Sequence, residues 1–159
     1  MKPWRILPCL ALTGLIGCSN DTSNGQGTKT FNLTLTTGAE TPPCADAGTA
    51  ATGTANIVVA ADNSSIAVTE AYSGLSGPPT AAHLHSGTSA AAGPVVLPFT
   101  VGLTTSPFSQ TFTAPDYVAA PGAPADFPSF VTALRAGGAA YANIHTNACK
   151  GGEIRAEIQ

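Results

Sequence analysis

The sequence predicts an all-β domain: a Greek-key-like antiparallel β-sandwich of about eight strands with one short helix. Three observations carry this. Apolar and polar residues alternate with period two, as in Phe31, Leu33 and Leu35 with Asn32, Thr34 and Thr36 between them. Turn signals recur between such runs, at Asp62-Asn63-Ser64, Gly77-Pro78-Pro79 and Gly137-Gly138. Only one stretch, after Asp126, has apolar residues at helical spacing. No internal repeat is present, which argues against a solenoid or propeller.

Taken in order, Phe31–Leu35 is the first strand. Gly53, Ala55, Ile57 and Val59 mark a second, and Ile66, Val68 and Tyr72 a third that pairs with it as a hairpin. Thr80–His85, Pro94–Val101 and Phe108–Thr113 are the fourth to sixth. Residues 115–128 are rich in Pro and Ala and read as irregular. Asp126 caps a helix with Pro128 in its first turn and Phe127, Phe130, Val131 and Leu134 on its apolar side. Residues 139–146 and 152–158 are the last two strands.

Three segments organise the 159 residues. Lys2 and Arg5 precede an apolar stretch from Ile6 to Gly17, shorter than the roughly 20 residues a membrane span needs. The stretch ends in Leu15-Ile16-Gly17-Cys18, which resembles the lipobox of bacterial lipoproteins. That resemblance implies a signal peptide over 1–17 and lipidation of Cys18, and several acyl chains on one residue anchor stably to a membrane. Ser19 in place of Asp implies the outer membrane under the sorting rule of some Gram-negative lipoproteins. Residues 18–28 read as a flexible polar tether and 29–159 as the domain. The whole chain carries −3, so loss of Lys2 and Arg5 leaves −5, which makes nucleic acid an unsuitable partner.

Of four cysteines, Cys9 leaves with the signal and Cys18 takes lipid. Cys44 and Cys149 remain. In an oxidising envelope they are expected to form a disulfide; free thiols, or a metal site shared with histidine, are the alternatives. All three histidines fall in two short segments. His83 and His85 share one face of a strand, because side chains alternate. If the strand carrying His145 lies alongside, three imidazoles converge, a donor set suited to copper or zinc. Histidines that merely hydrogen-bond on a sheet face are the alternative. Glu153 and Arg155 are assigned to one face of the last strand, as a pair that orients a histidine from behind or steers an anion, or else as a solvated face. No Gly-x-Ser-x-Gly elbow, phosphate loop or Cys-x-x-Cys is present, so no catalytic residue is assigned.

The blocks Ala82-His83-Leu84-His85-Ser86-Gly87 with Gly93-Pro94-Val95-Val96, and Tyr141-Ala142-Asn143-Ile144-His145-Thr146 with Gly152-Glu153-Ile154-Arg155, resemble the CHRD (chordin-domain) family. Glu40-Thr41-Pro42-Pro43 and Gly53 fit it too, and the resemblance spans about residues 29–159. Ala156-Glu157 stands where the family has Gly-Gln. The resemblance implies an exported domain, and the first functional expectation is a non-catalytic binding or structural module for adhesion or protein contact, with a three-histidine pocket whose histidines are structural. A fainter similarity to copper–zinc superoxide dismutases rests on the order of His83, His85, His145, Arg155 and the cysteine pair. It implies a copper-binding lipoprotein as the alternative, with superoxide dismutation the one reaction it motivates. No fourth histidine supplies the bridging ligand of those enzymes.

Overall fold

The computed structural model describes residues 26–137 and 139–159. The signal segment, Cys18 and the first part of the tether lie outside these residues. The elements are β1 (Lys29–Thr36), β2 (Thr52–Val59), β3 (Ile66–Ser73), β4 (Pro79–Ser86), β5 (Val95–Pro98), β6 (Phe108–Phe112), α1 (Phe127–Arg135), β7 (Ala140–Thr146) and β8 (Ile154–Ile158). The eight strands form one antiparallel sheet in the order β5-β4-β7-β8-β1-β2-β3-β6. The chain crosses the sheet between β3 and β4, back between β5 and β6, and again between β6 and β7, which is the long-connection habit of Greek keys. The all-β expectation therefore holds, with one refinement. The two layers of the expected sandwich are halves of a single sheet curled nearly closed. Its edges meet through Phe99, whose ring packs edge-on at 5.1 Å from both Phe108 and Phe112 on β6. Thr100 N also donates to Gln110 Oε1 at 2.8 Å.

The alternation read from sequence sets the inner face. Phe31 and Leu35 of β1, Ala55, Ile57 and Val59 of β2, and Ile66 and Val68 of β3 are all buried. In β4, Ala82 and Leu84 point inward, as do Ala142 and Ile144 in β7 and Ile154 and Ile158 in β8. Each of the Phe, Leu, Ile and Val side chains is stabilised by about 1.5–3 kcal/mol on leaving water. Helix α1 covers one end. Asp126 Oδ1 accepts from Ser129 N at 2.9 Å, and Phe127, Phe130, Val131 and Leu134 are buried, as the capping pattern predicts.

Two strands depart from expectation. β5 stops at Pro98, which has no N–H to extend a ladder. β8 begins at Ile154 because Gly152 takes φ +124°, a conformation open to glycine, and turns the chain before Glu153. One inward position of β3 is Glu70, fully buried with neither carboxylate oxygen partnered.

β7 is buried along its whole length. Its Ala140, Ala142 and Ile144 enter the hydrophobic core. Its odd-numbered residues, Tyr141, Asn143 and His145, lie on the outside of the sheet, yet are covered by segments 37–48, 87–94 and 147–152. Cys44 and Cys149 join two of these segments in a disulfide. The domain thus carries a second, polar core on the outer face of β4, β7 and β8.

Candidate metal centre

The register of β4 against β7 assembles this outer core. His83 pairs with Asn143, His85 with Tyr141 and Ala81 with His145. Residues two apart on each strand share the outer face, so His83, His85, Tyr141, Asn143 and His145 become neighbours. One ring nitrogen from each histidine lies within 4.8 Å of the others. The closest approach is His83 Nδ1 to His145 Nε2, at 3.1 Å. Ligands held about 2.0–2.1 Å from an ion stand roughly 3.3 Å apart, so small ring rotations would bring the set to coordination distance.

Backbone carbonyls fix two of the tautomers. His145 Nδ1 faces Lys150 O at 3.0 Å, and His85 Nδ1 faces Gly93 O at 2.8 Å. A ring nitrogen beside a carbonyl must carry the hydrogen, which leaves Nε2 of each ring as a lone pair. His85 Nε2 is buried and has no hydrogen-bond partner. Burial also disfavours the charged rings. His83 is pushed down to about 4 by desolvation and then by its two histidine neighbours, and burial lowers His85 and His145 as well. Neutral imidazole is the form that binds metal.

Around the histidines the packing is tight. Tyr141 stacks on His85 with centroids 4.5 Å apart and 8° between planes. Its hydroxyl receives Gly93 N at 3.0 Å. The Arg155 guanidinium lies 3.4 Å from the Tyr141 ring centre, on the β8 side of that strand. Arg155 Nη2 pairs with Glu157 Oε1 at 2.6 Å and donates to Thr88 O at 2.8 Å. Glu40 is buried against Gly152, where a Cβ would collide with its carboxylate. Desolvation raises Glu40 to about 7 against the opposing pull of Arg155.

The family whose model matches residues 31–158 is the CHRD domain. The chain belongs to the CHRD domain family. No curated protein and no solved structure matches it. The two sequence blocks that carry the resemblance are the ones that meet in this CHRD domain, on β4 and on β7 with the start of β8.

The two residues assigned beside the histidines, Arg155 and Glu153, take different places. Arg155 does not line a solvent-facing rim. It is fully buried beneath Tyr141, whose ring stacks on His85, so it fits the place of a support behind the histidines and not that of a group steering anions in from water. Glu153 lies just before β8 and takes a different set of partners from Arg155. Its carboxylate accepts from Gly48 N at 2.8 Å, Ser76 N at 2.7 Å, Ser76 Oγ at 2.6 Å and Thr146 Oγ1. Burial alone would raise its pKa, but bonds from Ser76 and Thr146 hold it below the usual value. Glu153 therefore clamps loops and has no contact with the histidines among its hydrogen bonds. Sequence reasoning gave no role to Tyr141, Asn143 or Glu40. The odd-numbered spacing of Tyr141, Asn143 and His145 was the available signal for the first two. Glu40 comes from a distant loop and gave none.

Proposed function

We propose that this protein is a lipid-anchored CHRD-domain protein of the bacterial envelope whose β4–β7 face binds one copper or zinc ion through His83, His85 and His145. The observation that carries the metal reading is the convergence of three neutral ring nitrogens within 4.8 Å, with His85 Nε2 buried and unpartnered. Imidazole donors suit copper and zinc, and carbonyls on the far nitrogens orient such rings as outer partners do in metal sites. The anchoring rests separately on the Leu15–Cys18 lipobox. Superoxide dismutation loses support, since Arg155 is sealed from solvent.

The test uses mature protein purified from membranes, stripped by chelator and titrated with Cu(II) and Zn(II). One equivalent should bind, with a nitrogen-rich, tetragonal electron paramagnetic resonance spectrum for Cu(II). Each single His→Ala change should weaken binding by more than the roughly 10–100-fold that losing an outer partner costs. The direct His83–His145 contact favours a second reading, a non-catalytic contact module with structural histidines. In that case no stoichiometric metal binds, and the same variants only lower the melting temperature.

A further inference from the structure

Asn143 stands in the middle of the three histidines. It pairs directly with His83 across the ladder, sits two residues before His145 on β7, and is diagonal to His85. Its side chain is 1 % exposed. Oδ1 lies 3.0 Å from His145 Nε2, and Nδ2 donates to Glu40 Oε1 at 3.4 Å.

A count of protons shows what this group faces. The His145 ring hydrogen is committed to Lys150 O, and that of His85 to Gly93 O. Both Nε2 atoms therefore present lone pairs, and the Asn143 carbonyl presents two more. Only the single ring hydrogen of His83 is left to serve them. Acceptors that face one another at 3.0 Å in a buried site repel. A cation resolves this once the His83 hydrogen sits on Nε2, because His83 Nδ1 and the other atoms turned inward then all offer electron pairs to a metal.

We propose that Asn143 Oδ1 is the fourth ligand of the centre, completing a shell of three nitrogens and one oxygen, all from protein. The inference rests on the three-histidine reading and adds what the centre is for. Catalytic zinc-type sites keep a position open for water or substrate, whereas sites with four protein ligands hold the ion. A closed shell makes this a metal-holding or fold-stabilising centre. It turns away small anions that an open three-histidine site would accept.

Azide, which occupies open positions on metal ions, is the probe, with Co(II) bound to the mature protein as the spectroscopic reporter. The visible bands of wild-type Co(II) protein should be intense, as for four-coordination, and unchanged by azide. Asn143→Ala should bind Co(II) more weakly than wild type by at least about tenfold, and its bands should shift on adding azide. Asn143→Asp should stay closed to azide and bind Co(II) more tightly, since a carboxylate is the stronger oxygen donor. Wild-type bands that azide shifts as readily as those of the alanine variant would overturn the proposal. That result would mean the amide is turned, with Nδ2 towards His145 as a hydrogen-bond donor. If the alanine variant does not fold, the wild-type azide arm and Asn143→Asp still decide. If wild type takes up none of Co(II), Cu(II) and Zn(II), the three-histidine reading itself fails. If metal binds through the histidines but azide adds freely, only the fourth ligand fails.

Discussion

Glu70 and Glu153 are both fully buried carboxylates, and their surroundings give them opposite energetics. Glu70 faces the hydrophobic core with no partner, so desolvation raises its pKa well above the ordinary 4.5. In the unfolded chain the same carboxyl ionises near 4.5, while the folded protein keeps its proton. The unfolded state is therefore favoured progressively as pH rises above about 4.5, up to the raised folded value. Glu70→Met should raise stability at neutral pH by about 1–3 kcal/mol and flatten this decline. Urea midpoints at pH 5 and pH 8 check it: an unchanged slope between the two would contradict a buried neutral Glu70. Glu153 is instead saturated with donors. Glu153→Ala should cost about 2–4 kcal/mol by stranding Gly48 N, Ser76 and Thr146 Oγ1. Metal affinity measured on the same variant should stay at the wild-type level, since none of those groups touches a histidine.

Among the elements, β7 matters most, because one face packs the core and the other builds the histidine cluster. Ile144→Ala should cost about 2–5 kcal/mol through the cavity it leaves, read from denaturant unfolding. At α1, Asp126→Ala should cost about 1 kcal/mol for the lost cap. The elements were legible where a residue's neighbours in sequence decide its place. Phe31–Leu35 alternate because one face of β1 is wet. Asp126 and Pro128 announce α1 because capping is local. The pairing of His83 and His85 on one face follows from the pleat alone. Legibility ended where a contact is long-range or an environment is reversed. Glu70 occupies an inward position that the pattern reserves for an apolar side chain. Arg155 looks like a solvated residue because the loops over β8 leave no trace in the strand itself. Glu40 joins the site only through the fold of a distant segment.

At the scale of the whole molecule, the Cys44–Cys149 disulfide closes a separation of 105 residues. The paired Cys44→Ser, Cys149→Ser variant should lose up to about 4–5 kcal/mol by the chain-entropy model. Thermal unfolding of oxidised protein against that variant measures it, and equal melting temperatures would show that the loops hold without the bridge. Cys18→Ala should leave the protein without acyl mass and outside the detergent phase; mass spectrometry of the wild-type N-terminus, if free of acyl groups, would remove the anchor. The sheet order has a consequence for how such a chain matures. β1 hydrogen-bonds to β2 and β8, so the first strand of the domain cannot complete its pairing until the last has arrived. A chain threaded amino-terminus first through a translocon would keep β1 with one unsatisfied edge throughout passage, and contacts this distant in sequence form slowly. For a chain exported in that way, closure of the sheet would wait for the arrival of β8.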